Sequence, residues 1–167
     1  MTEHGKECEV IHNGVIHIAK HCVELEHLHI NVSDMTNEVM KYIGKKLKKL
    51  KDFSLYMWQW TTKHEPVLDY GVRSLLIGCN KLEKLGLYSW DYGGCSWLTD
   101  KGLGFIAKHG CNLRYLYVNN IDVKLSDAGV MELSKLGYRC RPNSYNREVI
   151  ISGRNVKGIP QPCRDIE

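Results

Sequence analysis

The sequence predicts an α/β fold built from repeating helix–strand units, and three observations predict it. A pattern of the form L-x-x-L-x-L occurs four times in the 167 residues. Each copy lies ten positions after an apolar residue that opens a helical stripe. A short polar residue stands three positions before most of those stripes. Together they predict a leucine-rich-repeat solenoid, a horseshoe arc with parallel strands on its concave face and helices on its convex face.

The strand segments are Leu25-x-x-Leu28-x-Ile30, Leu50-x-x-Phe53-x-Leu55, Leu82-x-x-Leu85-x-Leu87 and Leu113-x-x-Leu116-x-Val118. The last two apolar residues of each alternate, as a strand with one buried face requires. The helical stripes open at Val15, Met40, Val72 and Leu103. They continue three and four residues on with Ile18 and Ala19, Ile43, Leu75 and Leu76, Ile106 and Ala107, and a turn later with Cys22, Leu47 and Cys79.

Asn37, Asp69 and Asp100 precede three of these starts, and Asp127 precedes a fifth helix expected from Val130; such side chains suit the free amides of a first helical turn. His12 stands there in the first unit. The starts at 15, 40, 72, 103 and 130 are 25, 32, 31 and 27 apart. The excess falls in two insertions after strands, Met57 to Leu68 and Ser89 to Leu98, which should emerge near one rim.

The periodicity stops after Leu133. A fifth strand in register would need leucines where the chain has Cys140, Asn143 and Tyr145. Residues 1–137 therefore read as four to five repeat units, and residues 138–167, with three of the four prolines, as a divergent, irregular tail in which only Glu148 to Ser152 suits a strand. Neither end has the polar cap that a solenoid needs, so the chain reads as a piece of a longer arc.

Composition narrows the function. Lys and Arg number 23 against 19 Asp and Glu, a formal charge of +4, and 43% of residues are apolar. That excludes a disordered tail and is too small an excess to call for nucleic acid. No apolar run approaches a membrane span and the amino terminus has no signal-peptide core, so a soluble intracellular protein is expected, without membrane or nucleic-acid partners. Asn31-Val32-Ser33 is accordingly a glycosylation sequon in form only.

Seven cysteines without a C-x-x-C pair argue against a disulfide scaffold or zinc ribbon. Cys22, Cys79 and Cys111 are expected to be reduced packing residues at helix ends. His17 and His21 have the spacing of zinc ligands, but Ile18 replaces the glutamate of the H-E-x-x-H motif, and both are read as solvated. The run Lys45-Lys46-Leu47-Lys48-Lys49-Leu50-Lys51 reads as a helix end whose cations oppose the dipole. No phosphate loop, nucleophile elbow or triad is present, so neither enzyme nor cofactor is expected.

What remains is a surface. Outward strand positions carry His29, Asn31, Ser54, Tyr56, Gly86, Tyr88, Tyr115, Tyr117 and Asn119, with His27 on the same face and Trp58 and Trp90 just beyond the strands. Tyrosine combines large apolar area with a polar handle, the composition of a binding hot spot.

The segments NVSDMTNE (31–38), DYGVRSLLIGCNKLEKLGLY (69–88), LTDKGLGFIAKHGCNLRYL (98–116) and SDAGVMELS (126–134) resemble the carboxy-terminal leucine-rich repeats of the plant coronatine-insensitive F-box proteins, the jasmonate receptors. The resemblance runs from about residue 3 to residue 137. It implies a substrate-recognition adaptor of an SCF-type ubiquitin ligase, acting in the nucleus, whose repeats dock jasmonoyl-isoleucine together with a JAZ-type repressor peptide. It also implies ligand-binding roles for Tyr88, which the family retains at the hormone, and for Tyr115 and Tyr117, where the family has a tryptophan and a leucine. Ser54 replaces a hormone-contacting arginine and Asn31 a contacting tyrosine, so weak or no hormone binding is expected. Without an F-box, a Skp1-type subunit should not bind directly. The alternative is a stand-alone repeat module that binds a protein or peptide without recruiting a ligase.

Overall fold

A computed structural model describes residues 3–57, 67–89, 98–119, 129, 133, 139–142 and 148–152. In chain order these form α1 (Glu3–His21), β1 (His27–Val32), α2 (Asn37–Lys46), β2 (Asp52–Met57), α3 (Asp69–Gly78), β3 (Lys84–Ser89), α4 (Asp100–His109), β4 (Tyr115–Asn119), β5 (Arg139–Pro142) and β6 (Glu148–Ser152). Strands β1 to β4 lie side by side and parallel, and β6 then β5 extend the sheet in antiparallel pairing. Each of α1 to α4 with the strand after it makes one unit.

The ten-residue step has a hydrogen-bond cause. Seven residues after each stripe start, the amides of Cys22, Leu47, Cys79 and Gly110 donate to Ile18, Ile43, Leu75 and Ile106 and end the helix. Three residues later the amides of Leu25, Leu50, Leu82 and Leu113 donate to Cys22, Leu47, Cys79 and Gly110 and close the turn. Two consecutive amides then share one carbonyl of the preceding unit: Lys51 and Asp52 on Glu26, Glu83 and Lys84 on Lys51, Arg114 and Tyr115 on Glu83. These bonds bring each strand in beside its predecessor with no shift of register.

Equivalent positions therefore line up. Leu28, Phe53, Leu85 and Leu116 are register partners in turn, as are Ile30, Leu55, Leu87 and Val118. All eight are buried and pack with the helical stripes into one apolar core. At about 1.5 to 3 kcal/mol for each large side chain removed from water, this shared layer is what the repeat stabilises.

The polar residues at the helix starts act differently from the expectation. Asn37, Asp69 and Asp100 are the first residues of α2, α3 and α4, and the caps are Thr36, Leu68 and Thr99. Thr36 and Thr99 accept from Val39 and Lys101, whereas Leu68 has no side chain able to cap. The predicted caps instead reach into the next unit. Asn37 accepts from the Gly71 amide at 2.5 Å and donates to the Val67 carbonyl at 2.8 Å. Asp69, 2% exposed, accepts from the amide and hydroxyl of Thr99 at 2.9 and 2.5 Å. A buried carboxylate is tolerated only with such partners.

Close helix packing uses glycine. A methyl group on Gly44 would lie 2.6 Å from the Ser74 carbonyl oxygen, and one on Gly78 would collide with the Gly44 backbone. Lys48 donates to the Gly44 and Gly78 carbonyls at 2.8 and 3.0 Å, satisfying the ends of two successive helices, as the dipole reading of the lysine run requires.

Three further expectations need correction. In α1 the buried stripe is Val15 and Ala19, while Ile18 is 42% exposed and Cys22 is exposed as well. Of the three cysteines read as packing residues, only Cys79 is one; Cys111 is half-buried and disulfide-bonded, and Gly110 takes the equivalent position. The tail supplies two strands: β6 falls where the composition suits one, and β5 does not. Gly129 and Leu133 are helical and Leu133 is buried, while Asp127 and Val130 lie outside the described residues.

Candidate binding surface

The face of the sheet away from the core carries three rows set by the register. The first holds His27, Asp52, Lys84 and Tyr115; the second His29, Ser54, Gly86 and Tyr117; the third Asn31, Tyr56, Tyr88 and Asn119. Parallel pairing without slippage forces each row to run straight across four strands.

The small residues of the second row let the large ones of the third lie down. Tyr88 leans over Gly86, where a methyl group would lie 2.7 Å from its ring, and Ser54 beneath is 1% exposed. The rings of Tyr56 and Tyr88 are 4.5 Å apart and 6° from parallel, and Tyr88 and Tyr117 are 6.4 Å apart at 21°. Three aromatic rings thus form one continuous stack over β2, β3 and β4.

Beside the stack lies a charged cluster. Asp52, with a side chain 14% exposed, faces Lys84 at 3.2 Å, His29 at 3.3 Å and His27 at 4.0 Å. Lys84 also sits 6.0 Å from the centre of the Tyr117 ring, joining the cluster to the stack. Burial, with further contributions from Tyr56, Tyr117 and Asp52, pushes the Tyr88 hydroxyl up to about 12. Its hydroxyl therefore stays neutral at physiological pH.

The structure brings Tyr88 and Tyr117 together, as expected of a shared wall. Tyr115 is 47% exposed in the first row, in register with Lys84 and outside the stack. The sequence pattern placed Tyr56 on this outward face without a ligand-binding role, and it did not single out Asp52. The signal for Tyr56 was its register with Tyr88, one ring opposite another on neighbouring strands; Asp52 precedes the first core residue of its strand and looks like a turn residue in the linear pattern. Trp58 and Trp90 lie outside the described residues. His17 and His21 are exposed with rings 4.3 Å apart, and no group of three or more metal-ligating side chains occurs among the described residues.

Four parallel strands in leucine-spaced helix–strand units, with an aromatic stack on their open face, are consistent with a protein of the leucine-rich-repeat plan. No family model matches the sequence. The chain is 40% identical to coronatine-insensitive protein 1 of Arabidopsis thaliana over 119 residues, which is 71% of this chain and 19% of that protein. It is 35% identical over 133 residues to coronatine-insensitive protein homolog 2 of Oryza sativa subsp. indica, covering 79% of this chain and 21% of the relative. Homolog 1b of Oryza sativa subsp. japonica is 37% identical over 109 residues, or 65% of this chain. The chain is a homologue of the coronatine-insensitive proteins and spans about a fifth of the length of these relatives.

Proposed function

We propose that the chain is a recognition module of the jasmonate-receptor type. Its repeats, residues 1–137, curve into a solenoid whose inner wall is the tyrosine face, and residues 138–167, divergent from the repeat, extend the same sheet through β6 and β5. It binds and does not catalyse. The contiguous Tyr56, Tyr88 and Tyr117 stack carries this reading, because a broad aromatic surface beside a polar cluster is what a peptide hot spot needs. The occupant is a JAZ-type repressor peptide, and the setting is a nuclear SCF-type ubiquitin ligase for which the module selects substrate. Tyr88, Tyr115 and Tyr117 are the proposed ligand-binding residues, with Tyr56 completing the wall.

Jasmonoyl-isoleucine binds weakly or not at all on this reading. Ser54 lies buried beneath the tyrosines where the resembling family has an arginine. A charge-assisted hydrogen bond contributes about 1.5 to 3 kcal/mol, so losing one weakens the hormone at least tenfold. Calorimetric titration of the purified chain with a repressor peptide, with and without hormone, tests both parts. Peptide binding that Tyr88→Ala abolishes is expected; micromolar or tighter hormone binding would refute the weak-hormone part. Co-precipitation with a Skp1-type subunit separates ligase adaptor from stand-alone module.

A further inference from the structure

The helix layer presents a second surface that the tyrosine face does not use. On α2, α3 and α4 the exposed charges include Lys41, Lys45, Arg73, Lys101 and Lys108, against Glu38, which already pairs with Lys41 at 3.5 Å. Asp69 is buried, and Asp100 abuts Gly129 of the next helical segment. In the adjoining turns Glu24, Glu26 and Glu83 are taken up by Lys49, Lys51 and Arg114. Among the described residues this surface is therefore basic after its own pairs are counted.

Aromatic rings interleave with these cations. Lys46 lies 5.8 Å from the Tyr42 ring centre, Lys101 4.5 Å from Tyr70, and Arg73 5.5 Å from Phe105. Tyr70 and Phe105 are 5.7 Å apart and join α3 to α4, and Tyr70 is 52% exposed. At the C-terminal ends of the same two helices a groove of about 410 Å³ opens, whose lining includes Leu76, Ile77, Leu82, Lys108, His109 and the disulfide-bonded Cys111.

Helix stability accounts for part of this charge and not the rest. Lys45, Lys46 and Lys108 fall in last turns, where cations favour the dipole. Arg73 is mid-helix, and Lys101 sits in the first turn of α4, where a cation opposes the dipole. Ile77, 52% exposed, is likewise unfavourable in water. We propose that the strip from Tyr70 and Lys101 to the Ile77 groove docks an acidic polypeptide segment with one apolar anchor residue. Carboxylates pair with Arg73, Lys101 and Lys108, and the anchor enters the groove. Tyr70 and Ile77, like Lys101 and Lys108, lie seven residues apart on one helix, about 10 Å of helical rise that about three extended residues span, so a short segment reaches both ends of the strip. An apolar groove set among separate cations fits a peptide better than the continuous basic stripe that a nucleic acid requires.

Fluorescence anisotropy with the full 167-residue chain tests this, using a labelled peptide of glutamates around a single leucine. Saturable binding is expected, weakening at least tenfold in Arg73→Glu/Lys101→Glu and again on raising salt from about 0.05 to 0.5 M, as the Debye length contracts. Ile77→Ser should weaken the leucine peptide severalfold and leave a serine-substituted peptide unaffected. If the double reversal unfolds, Arg73→Gln/Lys101→Gln gives the same readout. The proposal is overturned by absence of saturation, by equal affinity of the folded charge variants, or by tighter binding of oligothymidine or phosphatidylserine vesicles than of the peptide.

Discussion

Cys22 in the first unit and Cys79 in the third hold the same position in the ten-residue step, each ending its helix with the same backbone bond. Cys79 is 1% exposed and its thiol donates to the Leu47 carbonyl of the unit before it, at 3.3 Å; Cys22 is exposed, with no equivalent neighbour among the described residues. Ile18 and its third-unit counterpart Leu75 differ in the same way, at 42% and 0% exposed. The local pattern specifies the helix, and the adjacent units decide what is buried.

The largest test of that contrast is in the core. Leu85→Ala in the third unit should cost about 2 to 5 kcal/mol, against about 1 to 2 kcal/mol for Val15→Ala in the first, both read from urea unfolding at unchanged m-value. Equal costs would mean that the first unit is as firmly held as the third. The bridges between units come next. Asp69→Ala leaves the Thr99 amide and hydroxyl without their partner and should cost about 1 to 3 kcal/mol, with the half-buried Asn37→Ala costing less.

Glycine sharpens the contrast by a change of sign. Gly44→Ala forces α2 from α3 and should destabilise by about 1 to 3 kcal/mol. Gly14→Ala, with nothing within 4 Å of the added methyl group, should stabilise by about 0.5 to 1 kcal/mol, since alanine orders a helix better. Thiol chemistry then reads cover directly. Burial pushes the Cys79 thiol up to about 11, so alkylation at neutral pH should modify Cys22 quickly and Cys79 only after unfolding.

The smallest effect is a pH dependence. Folding raises the Tyr88 hydroxyl from the ordinary tyrosine value of about 10 to about 12. Its contribution to stability is thus complete below pH 10 and is lost as pH rises toward 12. Tyrosinate absorbance should show one late-titrating group that Tyr88→Phe removes; a titration in which every tyrosine ionises together near 10 contradicts that burial.

The linear sequence displayed the parallel sheet because its causes are local: the ten-residue step is written in Leu47 and Leu50, or Cys79 and Leu82, as a helix end followed by a turn. The role of Asn37 and Asp69 was hidden because each looks like a cap for its own helix, while its partners lie about thirty residues further along, in the next unit. Strand β5, Arg139–Pro142, was hidden because its pairing with β6 is antiparallel and owes nothing to the repeat. On the open face Tyr88 and Tyr117 were legible by alternation, whereas the stack with Tyr56 depends on ring orientation that no linear pattern encodes.

Gly86 gives the tyrosine face its relief. A β-carbon there would lie 2.7 Å from the Tyr88 ring and 2.8 Å from the Ser54 hydroxyl, so Tyr88 would have to lift from its present seat. A missing carbon on β3 thereby sets how deep an incoming chain could settle, and one substitution at that position would turn a smooth floor into a ridge without touching the leucines underneath.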